Sequence, residues 1–233
     1  MEKFRNKFRT SSHRRPHWNY SSDAFYFLTI VTQNRTCNLG RIENGVMILS
    51  EMGEIVLQEW YKSFDLRSEL FLHSFVLMPN HLHTIVEINN NVKPNHLAVP
   101  QNSPTEMSGI VETNNFVELD GDLETNGTAE TNGDVETNGT VETNGRSFLP
   151  QRLPKSISSF IAGFKSAVNT KIDDYIDQHN LPIPKYHRKN HFFQQNYHDH
   201  IIRSEDAFIR IQNYIINNPG KWMEDKLNPV SLK

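Results

Sequence analysis

The sequence predicts an α+β fold, a sandwich of one mostly antiparallel sheet with helices on one face. Three observations lead to it. Runs of strand length rich in aromatic and β-branched residues recur along the chain. Three other segments space their apolar residues at the helical period. Strands and helices are mixed in order, with a hairpin at Pro79-Asn80 between two of the strands.

Taken in order, "AFYFLTIVTQNR" (24–35) reads as a central strand. "GRIENGVMILS" sets Asn44-Gly45 between two short apolar stretches, the signal of a tight hairpin. Ser50 then stands where an N-cap belongs, and Met52, Ile55, Val56, Trp60 and Phe64 follow near helical spacing. "ELFLHSFVLMP" and "HLHTIVEI" are two further strands. "KSISSFIAGFKSAVNTKIDDYIDQ" carries one apolar stripe of Ile157, Phe160, Ile161, Phe164, Val168, Ile172 and Tyr175, the pattern of an amphipathic helix, flanked by Lys165. "HFFQQNYHDHIIR" reads as a strand. The last helix opens at Ser204, has Glu205 and Asp206 in its first turn, and closes before Pro219.

Residues 90–147 break this order. From Glu124 the text repeats with a period of six ("ETNGTA", "ETNGDV", "ETNGTV"). Thr, Asn, Gly and Glu cannot stack a solenoid core, so the tract reads as a disordered acidic insertion. Its part from 101 to 145 holds ten acidic residues and no Lys or Arg. The net charge of −3 thus hides a balance of 24 basic against 17 acidic residues, or +7, in the rest of the 233-residue chain. A basic body suits a polyanionic partner. The single cysteine, Cys37, rules out an intrachain disulfide and a cysteine-based zinc cage, and it suits a cytoplasmic protein. No apolar run reaches 18 residues, so a membrane span is not expected. The start, "MEKFRNKFRTSSHRRPHWNY", lacks an apolar signal core and reads as a basic arm. The expected organisation is an arm at 1–22, one domain from 23–89 and 148–222, the insertion at 90–147, and a tail at 223–233.

The candidate chemistry begins with "PNHLHTIVEI". On a strand, His81 and His83 share a face with Ile85, while Leu82, Thr84 and Val86 take the other. Such a pair is either two half-buried histidines or two ligands in need of a third. On the last helix Arg203, Arg210, Tyr214, Asn217 and Asn218 fall on one side, beside a core-facing side of Phe208, Ile211 and Ile215. Tyr214 and Asn218, four residues apart, set a hydroxyl and an amide one turn from each other.

Together, "FVLMPNHLHTIVEI", "SISSFIAGFKSAV", "FFQQNYHDHIIRSED" and "RIQNYIINNPGKW", with "DAFYFLTIVTQNR" as the opening strand, resemble the HUH single-tyrosine transposases of the insertion-sequence type. The REP-associated tyrosine transposase branch is the nearest likeness. The matches span about residues 14–222 apart from the insertion. The resemblance implies a ferredoxin-like catalytic domain. It assigns His81, His83 and Asn218 as ligands of Mg²⁺ or Mn²⁺, and Tyr214 as the nucleophile. Some members carry glutamine where Asn218 stands. Many relatives also have a tryptophan where Phe193 precedes Gln194, a departure expected to affect packing or DNA contact more than chemistry.

The implied reaction is cleavage and rejoining of single-stranded DNA at hairpin-containing sites, as in transposition or REP-element processing. It proceeds through a 5′-phosphotyrosine intermediate and a free 3′-OH. Covalent storage of the bond energy removes the need for a nucleotide cofactor. Arg14, Arg15, Trp18, Lys165, Arg203 and Arg210 are candidates for the DNA path, and for each the alternative is a solvated surface position. Many members of the family are homodimers and others monomers. The alternative is a binding module of the same fold that holds a DNA or RNA hairpin without cutting it. A metal-dependent hydrolase using His81, His83 and a residue such as His191 ranks below both. Tyr197, beside His198 and His200, is the rival nucleophile, but no ligand follows it at i+4.

Overall fold

The computed structural model describes residues 18–91, 153–187 and 189–231, with the backbone of the short strands β1 (Lys3–Phe4), β2 (Lys7–Phe8) and β8 (Ile110–Glu112). The chain divides into two units, Met1–Thr113 with Arg152–Lys233, and Asn114–Gln151. The second unit lies outside the described residues, as do Arg14 and Arg15 and nearly all of the expected insertion.

The main sheet has the order β8-β6-β7-β3-β9, and every neighbour is antiparallel. Its long strands are β3 (Ala24–Val31), β6 (Leu70–Met78) and β7 (His81–Ile88), with β9 (His198–Ile202) at one edge. β8 pairs with β6, so the expected insertion contains a short edge strand. A separate hairpin, β4 (Gly40–Glu43) and β5 (Val46–Leu49), turns through Asn44 and Gly45 at φ of 51° and 78°, the left-handed pair such turns require. The helices are α1 (Glu51–Asp65), α2 (Ile157–Gln178) and α3 (Glu205–Asn217). Ser50, Ser156 and Ser204 cap them, each side chain accepting a backbone N–H of the first turn. Leaving the β4–β5 hairpin and the short edge strand β8 aside, β3-α1-β6-β7-α2-β9 is the βαββαβ path of a ferredoxin-like sheet.

Helices α1 and α2 cover one face, as the sequence predicts. Trp60 of α1 sits at the centre of that core, its ring within 5.4 Å of Phe64, Phe75, Phe160 and Phe164. Leu28, Ile30, Leu82 and Val86 meet it from the sheet. The expectation of helices on one face stops there, because α3 covers the other. Phe208, Ile211 and Ile215 pack on Val76, Met78 and Ile85. The run Phe75-Val76-Leu77-Met78 is buried on both sides, and such a strand needs cover on both faces.

Two boundaries differ from the sequence reading. The strand expected over "HFFQQNYHDHIIR" begins only at His198. Phe192 and Phe193 are adjacent and both buried, whereas a strand would turn them to opposite faces. Backbone bonds from Gln33 N to Phe192 O and from Gln194 N to Val31 O hold this loop to the end of β3. The domain boundary at 222 also falls too early. A 3-10 turn, Pro219–Glu224, follows α3, and Asn228 beyond it is buried. Among the described residues no helix is long and apolar enough to cross a membrane.

Candidate functional site

β7 alternates as its pattern demands. Leu82 and Val86 enter the core under α1 and α2, and His81, His83 and Ile85 face α3. His83 lies opposite Thr29 of β3 and Val76 of β6, so both histidines stand in the middle of the sheet. Their rings are 4.6 Å apart and both are buried. Thr29 Oγ1 lies 2.8 Å from His83 Nδ1.

The apolar stripe of α3 fixes the helix on this face and so decides what its other side presents. Tyr214 crosses above His83, with ring centroids 5.1 Å apart and its hydroxyl 3.1 Å from His83 Nε2. Tyr214 as a residue remains 47% exposed and lines a cleft open to solvent. Asn218 ends the helix and is buried, and its Oδ1 has no hydrogen-bond partner.

The 3-10 turn after Asn218 returns the chain to the histidines. Asp225 Oδ2 comes within 3.6 Å of His81 Nε2, while Asp225 Oδ1 accepts from Leu227 N at 2.6 Å. One ligand-type atom from each of His81, His83 and Asp225 falls within 4.8 Å of the others. Sequence reasoning missed Asp225. It obeys no spacing relative to His81 or Tyr214, and only the turn signal at Pro219-Gly220 hinted that the chain reverses there.

Burial dominates the electrostatics. It lowers the pKa of His81 to about 3, so this imidazole is neutral at physiological pH and its approach to Asp225 is not an ion pair. His83 is lowered by burial first, then by His81 and His198. Burial also raises Asp225, against the Leu227 N–H and Arg35. Tyr214 is raised by burial and then by the Asp225 carboxylate, with the Asn218 amide acting the other way. The phenol is therefore protonated at rest.

The neutral His81 Nε2, buried without a hydrogen-bond partner, lies with His83 and the Asp225 carboxylate in one small region, and Asn218, whose Oδ1 is also buried without a partner, shares a cleft wall with Asp225. Buried acceptors without donors are costly, and a cation held by His81, His83 and Asp225 would offset that cost. This donor set fits a divalent ion. Beside it, a cleft of about 370 Å³ opens along Tyr214, Asn218, Lys221, Asp225 and Lys226.

The other predicted residues divide. Arg203 and Arg210 are exposed, Arg210 one turn before Tyr214 on α3. Trp18 and Lys165 are not brought to the site. The Trp18 indole donates to Tyr26 Oη at 3.2 Å and packs on the α1–α2 core. Lys165 Nζ donates to Gln194 O at 2.7 Å, tying α2 to the loop before β9. Tyr197 packs on that same core, with its hydroxyl 3.3 Å from Ser158 Oγ. The sheet thus separates it from the histidine pair. Phe193 packs edge-on against Phe192 and tilted against Phe164, which gives the position a packing role.

No family model matches the chain. Among solved structures, a REP-associated tyrosine transposase bound to a REP hairpin is similar at a TM-score of 0.47 and 15% identity, covering 93% of this chain and 77% of that one. A Deinococcus radiodurans protein solved under a provisional transposase description gives 0.37 and 14%, covering 88% and 97%. A Haemophilus influenzae protein, described as uncharacterized, is 30% identical over 219 residues. Since that alignment covers 92% of this chain and 90% of the relative, the two share a family, and the chain belongs to the family of the Haemophilus influenzae protein.

Proposed function

We propose that the chain cleaves and rejoins single-stranded DNA through Tyr214, at a centre where His81, His83, Asn218 and Asp225 hold Mg²⁺ or Mn²⁺. The observation that carries this reading is the Tyr214 hydroxyl 3.1 Å from His83 Nε2, on a residue about half exposed to solvent. A nucleophile on a rigid helix above a buried histidine pair is prepositioned, and positioning supplies much of the rate gain in such chemistry. When bound, the cation offsets charge on the phosphate oxygens and aligns the phosphate.

The chain's own residues do the rest. The Tyr214 oxygen attacks phosphorus and loses its proton; the P–O3′ bond breaks and the leaving 3′-oxygen takes up a proton. The products are a 5′-phosphotyrosyl bond and a free 3′-OH, and reversal by a 3′-OH reseals the strand. Thr29 orients His83, and the packing of Ile211 and Ile215 holds the height of Tyr214 above it. Lys221 and Lys226, on the wall of the cleft, and the exposed Arg210 supply positive charge for the neighbouring phosphates. Hairpin-containing DNA is the expected substrate.

The test is incubation of the chain with single-stranded hairpin DNA and Mn²⁺, followed by denaturing electrophoresis and peptide mapping. A 5′-phosphate adduct on Tyr214 is expected. Tight DNA binding with no adduct would instead make the protein a hairpin-binding module. Released cleavage products without an adduct would make it a hydrolase.

A further inference from the structure

Asn80 is fully buried in the turn between β6 and β7, and every polar atom of its side chain is used. Its Nδ2 donates to Arg35 O at 3.0 Å and to Leu227 O at 2.8 Å. Both acceptors are backbone carbonyls, which never donate, so the two amide hydrogens are committed and the orientation of the amide is settled. Its Oδ1, an acceptor only, then lies 2.8 Å from His81 Nδ1. A hydrogen bond there requires His81 Nδ1 to carry the hydrogen. The lone pair is left on Nε2, the nitrogen that faces Asp225 without a hydrogen-bond partner.

His83 offers a contrast. Both of its nitrogens meet hydroxyls, Thr29 Oγ1 and Tyr214 Oη, and a hydroxyl can donate or accept. Its tautomer is free to change with the state of Tyr214, whereas that of His81 is not.

We infer that Asn80 is a positioning residue that sets the tautomer of His81 and, through Leu227, ties the segment carrying Asp225 to the same ring. One amide would thus hold two ligands of the centre in mutual register. The turn that carries it is itself held, since Thr32 N donates to Asn80 O at 2.8 Å and the single hydrogen of Thr32 Oγ1 is shared between Thr36 O at 2.8 Å and Asn80 O at 3.0 Å. Arg35 stands beside Asn34, both at φ of 57°, and its guanidinium donates to Lys226 O at 3.1 Å. The loop after β3 and the segment after α3 therefore meet at Asn80 from two sides. Without Asn80, His81 can take the other tautomer and donate from Nε2 to Asp225, which closes the space between them. Partners of this kind behind a ligand histidine change metal affinity by about 10–100-fold.

The inference rests on the metal-centre part of the proposed function and not on strand cleavage. Its test is ¹⁵N NMR of the histidine rings in the full chain without metal, with Mn²⁺ binding measured separately by calorimetry. Wild-type His81 is expected as the Nδ1–H form, and a predominant Nε2–H form overturns the inference. In Asn80→Ala the Nε2–H form should appear and Mn²⁺ affinity should fall at least about tenfold. Unchanged affinity and tautomer in a folded Asn80→Ala also overturn it. If Asn80→Ala does not fold, the wild-type spectrum alone decides. A wild type that shows the Nδ1–H form yet binds no Mn²⁺ removes the metal centre and leaves the hold of Asn80 on His81 intact.

Discussion

At the scale of residues, the site depends on polar groups carried into a dry sheet face by their apolar neighbours. Tyr214→Phe keeps the ring contacts with His83 and Phe27 and loses one hydrogen bond, at a cost of roughly 0.5–1.5 kcal/mol. The variant should fold and bind hairpin DNA but form no adduct, while Tyr197→Phe retains it. An adduct with normal yield from Tyr214→Phe refutes the assignment. The buried histidines predict a pH response as well. Unfolded His81 gains a proton near pH 6.5, whereas the folded ring resists protonation down to about 3. The unfolded state therefore binds more protons between those values, and stability falls as pH drops through that window. Urea midpoints of the metal-free chain should decline from pH 6.5 to 5, and the decline should be shallower in His81→Gln. Equal slopes for the two proteins contradict the neutral, buried imidazole.

At the scale of elements, α3 and the segment after it together carry the candidate nucleophile Tyr214 and the candidate ligands Asn218 and Asp225. The helix is amphipathic, capped by Ser204, and fastened by Phe208, Ile211 and Ile215. Ser204→Ala should cost about 1 kcal/mol through the lost cap, seen as a lower melting temperature with an intact adduct reaction. The segment beyond Asn218 matters in a different way. Ending the chain at 222 removes Asp225 and the Leu227 carbonyl that Asn80 uses. Such a truncation should leave the sheet folded but weaken Mn²⁺ binding by about tenfold or more, as should Asp225→Asn. The measurement is the rise in melting temperature on adding Mn²⁺, which tracks occupancy of the folded state. A full rise in either variant would remove Asp225 from the centre.

At the scale of the whole molecule, the two sheet faces have separate tasks. The α1–α2 face holds the aromatic core around Trp60, and the α3 face holds the candidate site. Trp60→Ala should destabilise the fold by about 3–5 kcal/mol, the usual range for deleting a buried aromatic side chain. Its denaturant midpoint should fall sharply, yet Mn²⁺ affinity at low temperature should persist. Replacing residues 114–145 with a short Gly/Ser linker should leave the melting temperature within a few degrees, because their polar Thr, Asn, Gly and Glu content offers little to a core and rejoining a loop costs little entropy. Unfolding of the shortened chain would show that those residues belong to the fold.

Much of this was written in local sequence. The caps at Ser50 and Ser204, the Asn44-Gly45 turn, the shared face of His81 and His83, and the pairing of Tyr214 with Asn218 all follow from the periods of helices and strands. These are short-range properties, and the chain states them where they occur. Three features were decided only by tertiary structure. The cover of α3 on the second sheet face depends on which of two apolar surfaces remains open, although the unbroken Phe75–Met78 run hinted at it. The inward turn of both Phe192 and Phe193 depends on how a loop meets the end of β3. Asp225 reaches His81 across more than 140 residues of sequence because a 3-10 turn and the Asn80 amide bring it there. No periodicity encodes such a meeting. It arises when buried acceptors from distant segments are placed together, and only the folded chain brings those segments within hydrogen-bond reach.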